Sequence, residues 1–290
     1  MTDIELVLRA IMFIEEHLNE DVGVSDIASN VCTSLFHFSR IFSRYTRVPP
    51  YHYLMCRRLS EAANSLLGTD KKIIDISCAY QFKAPETFSR VFKRRFHLTP
   101  SQLRKNKLLD KRYLMPRMSP DYLEFINSEI SLKPEIIQMP LLNLAGLAVQ
   151  IEERAINPPE WIWDSLRSEI KCAFGNHVRN VYGARMIFPE QPDYPIMYLA
   201  AIHLEDMVSV PVKFVQKLFS EMEVVRFKVP QQERALEHMR AYVYHTWWPK
   251  AAGDRCMPDL EIEQFPEEQE ANVSGNCLPN FICFPFSRAI

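Results

Sequence analysis

The sequence predicts two domains: an all-α double helix-turn-helix, in which two three-helix units are joined by a long helix, and an α+β domain of two βαββ repeats. The first observation is an internal repeat, because Phe38-Ser39-Arg40-Ile41-Phe42 returns fifty residues later as Phe88-Ser89-Arg90-Val91-Phe92. The second is charge: residues 1–112 hold 18 Lys and Arg against 12 Asp and Glu, whereas the remainder holds 16 against 24. The third is a change beyond residue 134 from helical periodicity to alternating strand and helix patterns.

Three helices are expected in the first unit of the repeat. The apolar residues between positions 4 and 18 recur at helical spacing, which predicts the first helix. Ser25 is the expected cap of a short second helix over 26–31, and Thr33 or Ser34 caps the third. In the second unit, Asp75-Ile76-Ser77 repeats Asp26-Ile27-Ala28, and the matched segment ends before Pro100.

The third helix of each unit is expected to carry matched faces, because successive helical residues rotate by about 100°. The outer faces carry Phe36, Ser39, Arg40 and Ser43 in the first copy and Glu86, Ser89, Arg90 and Lys93 in the second. An exposed arginine at the same place in both copies suits readout of guanine O6 and N7 in a major groove. A solvated face would explain either arginine alone, but two matched faces on a basic repeat favour double-stranded DNA as the partner.

A long helix is predicted between the two copies. It starts at Pro50, runs to about residue 67 and is followed by Gly68, a residue typical of helix ends. Such a helix would hold the two recognition helices about one turn of B-DNA apart, roughly 34 Å.

Residues 8–106 resemble the double helix-turn-helix domain of the AraC/XylS transcription regulators. The strongest similarity runs from residue 73 to 104, and it includes Asp75-Ile76, Phe82, Phe88-Ser89-Arg90-Val91-Phe92-Lys93, Phe96 and Leu98-Thr99-Pro100-Ser101. The resemblance implies a DNA-binding regulator of the Rob-like subgroup, with activation as the commoner mode and RNA polymerase as a further partner.

The resemblance also implies which residues contact DNA. Base-reading positions fall on Phe36, Ser39 and Arg40 in the first unit and on Pro85, Glu86, Thr87 and Arg90 in the second. Further DNA contacts are expected from Thr33, Ser34, Ser43, Arg44, Ser89, Lys93 and Arg94. The subgroup commonly carries glutamines where this chain has Ser39, Pro85 and Glu86. The DNA sequence that the subgroup prefers is therefore not expected to be the operator of this chain. Glu86 either accepts a hydrogen bond from a cytosine amino group or repels phosphate.

Two turn positions depart from the family's usual glycine. Cys32 occupies the first turn and Gln81 the second. A left-handed backbone at such residues costs roughly 1 kcal/mol, which a packed core tolerates.

Residues 113–134 contain Pro116, Pro120 and Pro134 and are expected to form a linker with a short helix. The second domain, 135–290, is predicted to contain strands at 136–137, 144–151, 181–188, 196–204, 223–229, 260–265 and 281–286, and helices at 161–173 and 231–247. Two successive βαββ units imply pseudo-twofold symmetry and a cleft between the halves.

The second domain resembles the GyrI-like effector-binding domain. Val243-Tyr244-His245-Thr246-Trp247-Trp248-Pro249 fits that family's aromatic pattern, and Glu263-Gln264-Phe265 fits its glutamate-bearing strand. The resemblance implies a sensor for a small hydrophobic or cationic molecule, with Glu263 as the polar anchor among aromatic rings. The candidate effector-binding residues are Glu263, Trp247, Tyr244, Trp161, Trp163 and Tyr198. Packing of the tryptophans in the core and surface exposure of the glutamate are the alternatives.

Catalysis is not expected, because the sequence has no nucleophile elbow, phosphate loop or HExxH motif. A GyrI-like hydrolase and a protein-interaction module fused to DNA-binding helices remain the alternatives. Seven cysteines without a C-x-x-C pair predict neither a metal nor a cofactor. The absence of a basic leader and of a long apolar run predicts a cytoplasmic, nucleoid-associated protein without a membrane partner.

Overall fold

The structure is a computed structural model that describes residues 2–128, 132–151, 158–174, 181–188, 196–207, 209–253, 255–265 and 278–286. The chain forms two compact units. The first comprises Met1–Ile130 together with Arg240–Cys256, and the second comprises Ser131–Met239 together with Met257–Ile290. The first is a helical helix-turn-helix unit, and the second is built on an antiparallel sheet.

The predicted helices of the first unit are present. They are α1 (Asp3–Glu16), α2 (Val24–Asn30), α3 (Leu35–Thr46), α4 (Pro50–Gly68), α5 (Ile73–Ala79), α6 (Pro85–Phe96), α7 (Pro100–Asn106) and α8 (Pro120–Asn127). The pairs α2–α3 and α5–α6 are the two helix-turn-helix motifs, and α4 is the long helix between them. A short 3-10 turn, Lys111–Tyr113, precedes α8.

The turns before the recognition helices have the expected geometry, with one correction at α2. Cys32 and Gln81 both have left-handed backbones, with φ of 55° and 66°. The Ser34 hydroxyl accepts a hydrogen bond from the His37 N–H at 3.3 Å and so caps α3. Ser25 does not cap α2, because it lies inside the helix, and the Asp26 carboxylate instead accepts from the Gly23 N–H at 2.7 Å.

Helix α4 is fixed by polar contacts as well as by apolar packing. The guanidinium of Arg57 is buried and donates to Glu15 at 2.8 Å and to the carbonyl oxygen of Met115 at 2.8 Å. Arg58 is also buried and donates to backbone carbonyls of the segment after α1, including that of Leu18 at 3.0 Å. These arginines are therefore structural, although they contribute to the basic charge of residues 1–112.

The range predicted as a linker, 113–134, is largely part of the first unit. Its buried side chains are Tyr113, Met115, Met118, Tyr122, Leu123, Phe125 and Ile126. Helix α8 packs on α3, where Arg47 donates to the Ile126 carbonyl at 3.1 Å and Asn127 donates to the Tyr45 carbonyl at 2.8 Å. Pro120 begins α8, and most apolar residues of this range are buried although prolines flank them. Residues 129–131 of the predicted linker lie outside the described part.

The segment Arg240–Cys256 also belongs to the first unit. The helix predicted over 231–247 is α10 (Ala235–Tyr242), which continues as a π-helical turn (Val243–Trp247) and then as α11 (Trp248–Ala251). Lys250 donates a hydrogen bond to the Arg47 carbonyl at the end of α3, and the Arg112 guanidinium lies over the Tyr244 ring at 5.9 Å.

The second unit contains one antiparallel sheet of eight strands among the described residues. The strands are β1 (Glu135–Met139), β2 (Leu142–Ile151), β3 (Val181–Ile187), β4 (Ile196–His203), β5 (Val215–Phe219), β6 (Met222–Lys228), β7 (Leu260–Gln264) and β8 (Phe281–Pro285). Their order in the sheet is β1-β6-β8-β7-β3-β4-β2-β5. Helix α9 (Glu160–Phe174) packs on β2 and β4. Strand β5 lies at an edge and was not predicted.

None of the helices in the described ranges is long and apolar enough to cross a membrane.

Acid pH is expected to destabilise the first unit through His245. Burial, together with the charge of Arg95, lowers the pKa of this imidazole to about 3. The unfolded pKa is about 6.5. The neutral ring therefore stabilises the fold fully above pH 6.5, and this contribution is lost as pH falls from 6.5 towards 3, at up to about 1.4 kcal/mol per pH unit.

Urea denaturation of the full chain between pH 7 and pH 4.5 measures this effect. His245→Gln, which cannot titrate, should lose less stability over that interval than the original chain. His52, whose pKa is lowered by burial and by neighbouring cations, keeps part of the acid sensitivity in the variant. Parallel pH profiles for the two proteins would contradict the assignment.

Candidate nucleic-acid interface

The two recognition helices bury the same side and expose the same side. Phe38 and Phe42 of α3 are fully buried, as are their repeat partners Phe88 and Phe92 of α6. The opposite side of each helix is open to solvent, where Phe36 and Arg40 of α3 and Glu86 and Arg90 of α6 are exposed. The sequence repeat is therefore a structural repeat of two equivalent outer faces.

The structure leaves every predicted DNA-contacting side chain accessible. The exposed ones are Ser34, Phe36, Arg40, Arg44, Glu86, Thr87, Arg90, Lys93 and Arg94, and the half-buried ones are Thr33, Ser39, Ser43, Pro85 and Ser89. Phe36 has 81% of its surface exposed, which is unusual for a large apolar side chain that has no partner to cover it. The nearest polar contact to Arg40 is His37 at 3.5 Å, a weak one that leaves the guanidinium available.

Not every basic residue near these helices faces outward. Arg95 lies on α6 but donates through Nε to the Tyr113 carbonyl at 2.9 Å, and Arg112 pairs with Asp110 at 2.7 Å. Arg57 and Arg58 belong to α4 and are buried. The cations on the outer faces, such as Arg40 and Arg90, are therefore only part of the 18 Lys and Arg of residues 1–112.

A buried carboxylate lies in the second unit. Glu263 of β7 is 1% exposed and accepts a hydrogen bond from the Tyr198 hydroxyl of β4 at 2.6 Å. The half-buried ring of Trp163 lies 5.9 Å from the Tyr198 ring and 4.6 Å from the Phe265 ring. The pair needs Gly183 of β3, since a Cβ there would come within 2.1 Å of the Tyr198 hydroxyl and 2.6 Å of the carboxylate.

The six candidate effector residues are divided between the two compact units. Glu263, Tyr198 and Trp163 are brought together in the second unit, while Trp161 on the same helix as Trp163 is exposed. Tyr244 and Trp247 belong to the first unit, where Tyr244 contacts Arg112 and the Trp247 ring packs 6.1 Å from that of Trp248. The grouping of these two residues with Glu263 stays a prediction.

One charged pair of the second unit was missed by sequence reasoning. Arg185 of β3 and Glu261 of β7 are both buried and face each other across the strand pair, with Nε and Oε2 at 3.5 Å. Glu261 and Glu263 are two residues apart on one strand and therefore share a face. The alternation of Glu261, Ile262 and Glu263 in the sequence was the signal from which a second carboxylate on this face could have been predicted.

Two helix-turn-helix motifs with matched, exposed arginine faces define a double helix-turn-helix protein. The family model described as "Helix-turn-helix domain" matches residues 27–106, which contain both motifs. A probable transcription factor, PqrA, from Proteus vulgaris is 39% identical over 88 residues, which are 30% of this chain and 72% of that protein. The transcriptional activator AarP from Providencia stuartii is 30% identical over 99 residues, which are 34% of this chain and 73% of that protein. The chain belongs to the AraC family of DNA-binding transcriptional regulators.

Other relatives match over a smaller part of their length. An uncharacterized regulator, YbfP, from Bacillus subtilis is 42% identical over 98 residues, which are 34% of this chain but only 33% of that protein. The chain thus spans about a third of that relative. A solved transcriptional regulator with an AraC-type DNA-binding domain, from Chromobacterium violaceum, is 28% identical with a TM-score of 0.34, over 36% of this chain and 92% of that one.

Proposed function

We propose that this chain activates transcription by binding a specific sequence of double-stranded DNA through α3 and α6, in the cytoplasm and together with RNA polymerase. The observation that carries the proposal is the repeat-equivalent pair Arg40 and Arg90, exposed on matched faces of the two helices. A guanidinium on such a face can donate to O6 and N7 of guanine at once. The activator mode rests on the name of the AarP relative.

Arg40→Ala and Arg90→Ala are each expected to lose about 1–3 kcal/mol of binding free energy on a selected operator and to relax the base preference at one position. Lys93→Ala is the matched control. Loss of an ammonium that contacts phosphate should weaken binding to all sequences alike and reduce the slope of affinity against salt by about one. Fluorescence anisotropy with operator and scrambled duplexes over a salt series measures both effects. If both arginine variants keep the original affinity and base preference, α3 and α6 are not the surface that reads the bases.

We infer further that the second unit is a sensor composed of two βαββ repeats. The segments β2-α9-β3-β4 and β6-α10-β7-β8 give the strand orders β3-β4-β2 and β7-β8-β6, which support equivalent halves. The halves adjoin at β3 and β7, where Gly183 lies opposite Glu263. The carboxylate thus lies where the repeats meet, and half-buried Trp163 and Phe265 lie beside it.

The proposed ligand is a small amphipathic cation. A carboxylate withdrawn from water attracts a compensating cation strongly, and aromatic faces add cation–π attraction of about 0.5–2 kcal/mol. A hydrophobic molecule without charge could use the rings but not the carboxylate. The Tyr198 hydroxyl lies 2.6 Å from the Glu263 carboxylate, and a hydroxyl held against a carboxylate is the observation that keeps a GyrI-like hydrolase as the second candidate.

Glu263→Gln is expected to weaken the binding of lipophilic quaternary cations by about 1–3 kcal/mol. The binding of neutral lipids should not change, since the substitution keeps the shape of the side chain and removes its charge. Calorimetric titration of the full chain with lipophilic cations, anions and neutral lipids measures this. Glu205→Gln is the matched control, because Glu205 is an exposed carboxylate. Equal cation affinity in the original chain and in Glu263→Gln would make the carboxylate structural, and failure of every ligand class would favour a protein-interaction module.

A further inference from the structure

One position on the outer faces carries side chains of opposite chemistry in the two recognition helices. With the fifty-residue offset of the repeat, Arg40 corresponds to Arg90, whereas Phe36 corresponds to Glu86. Both residues of the second pair are the second residue of their helix, and both are exposed. The same place on the two outer faces therefore carries an aromatic ring in α3 and a carboxylate in α6.

These positions lie on the same helix face as the arginines. Phe36 precedes Arg40 by four residues, as Glu86 precedes Arg90, and residues four apart are neighbours on a helix surface. One helical turn of about 5.4 Å separates them along the axis, which is one to two base-pair steps of about 3.4 Å. Recognition helices present their N-terminal residues to the base edges, so each helix offers an adjacent pair of reading groups.

The carboxylate of Glu86 is available for a base. Opposite charges at this spacing often pair on a helix surface, yet within the described part of the chain neither Glu86 nor Arg90 takes part in an ion pair or side-chain hydrogen bond. Phe36 is equally uncovered, with 81% of its surface exposed. Neither residue has an evident role in packing the unit.

The chemistry of the two residues selects different pyrimidines. In the major groove, cytosine presents an N4 amino donor that a carboxylate accepts, and thymine presents a C5-methyl group that an apolar side chain contacts. A carboxylate facing thymine would instead meet the O4 acceptor, which repels it. Arg40 of α3 and Arg90 of α6 both select guanine.

We propose that the operator is asymmetric, with two half-sites about one helical turn apart that each contain a guanine and differ in one pyrimidine. The half-site of α3 contains a thymine contacted by Phe36, and the half-site of α6 contains a cytosine that donates to Glu86. Each pyrimidine lies within one or two base pairs of the guanine read by Arg40 or Arg90. This inference rests on the proposed DNA-binding function and adds the base identities.

The experiment is selection of bound duplexes from a random pool by the full chain and by exchange variants. Glu86→Phe should change the selected cytosine to thymine, Phe36→Glu should change the selected thymine to cytosine, and the double exchange should select the half-sites in the opposite order. Glu86→Gln should change cytosine to adenine, because an amide pairs with adenine N6 and N7. In direct titrations, each protein should prefer its matched operator by about five- to a hundredfold over the exchanged one.

The controls separate this inference from the function on which it rests. Met12→Glu changes an exposed apolar residue on α1, outside the recognition faces, and should leave the selected sequence unchanged. Phe36→Ala and Glu86→Ala should lose the preference at a single base pair, which tests the assignment even if an exchange variant folds poorly. If the original chain enriches no sequence, the proposed function fails. If it enriches an operator whose base preferences survive all the exchanges, the proposed function stands and this inference is overturned.

Discussion

A fragment that ends at residue 112 should unfold without a cooperative transition, whereas a fragment that ends at residue 130 should show one. Truncation at 112 removes the Met115 carbonyl that accepts from buried Arg57 and the Met118 N–H that donates to the Tyr53 hydroxyl at 3.3 Å. It also removes six large apolar side chains between Met115 and Ile126 that are now buried, among them Leu123 and Phe125, and the Tyr113 ring.

The size of the expected effect follows from the apolar surface involved. Burial of one large apolar side chain is worth roughly 1.5–3 kcal/mol, while a whole domain is stable by only about 5–15 kcal/mol. Loss of helix α8 and of the segment before it therefore removes a stabilisation about as large as the whole free energy of unfolding of the first unit.

Urea denaturation of the two fragments, followed by circular dichroism, measures the difference. Both fragments lack Arg240–Cys256, so that segment cannot account for a difference between them. If the fragment ending at 112 unfolds cooperatively with the same midpoint as the longer one, α8 contributes nothing to the unit and the boundary predicted from sequence was sufficient.

Glu15→Ala should destabilise the first unit by about 3–5 kcal/mol, the usual effect of removing one partner from a buried ion pair. The carboxylate of Glu15 accepts from Arg57 at 2.8 Å and from the Tyr53 hydroxyl at 2.9 Å. The side chains of Arg57 and Glu15 are only 9% and 11% exposed. Without Glu15, the buried guanidinium loses its main counter-charge.

Glu61→Ala is the matched control on the same arginine. Glu61 also pairs with Arg57, at 2.9 Å, but its side chain is 32% exposed. Water compensates for its loss, so the expected change in the free energy of unfolding is below about 1 kcal/mol. Chemical denaturation of the full chain at pH 7 compares the two variants. Similar losses for both would show that burial does not distinguish these two ion pairs.

The helices, their inner and outer faces and the special turns were determined by the sequence itself. Arg40 and Arg90 are exposed as predicted, on the sides opposite buried Phe38 and Phe88, because the outer face of a helix follows from local periodicity. The left-handed backbone at Cys32 agrees with the resemblance, because the family usually has glycine at this turn.

Tertiary structure alone decided where segments pack when their partners are distant in sequence. The range 113–127 has the prolines of a linker, but its apolar side chains are buried on α3 and α4, and periodicity does not identify that surface. The contact of Tyr244 with Arg112 likewise joins residues that are distant in the sequence. Strand β5, with four exposed residues out of five, has no buried face to produce an alternating pattern.

The buried carboxylate shows both contributions in one residue. The sequence identified Glu263 as the polar candidate, through a resemblance carried by neighbouring residues on one strand. Its burial depends on Tyr198 and Gly183, which lie on two other strands and come close only when the sheet forms. Sequence periodicity assigns a residue to a face, whereas hydrogen bonding across strands depends on a register that only the folded sheet defines.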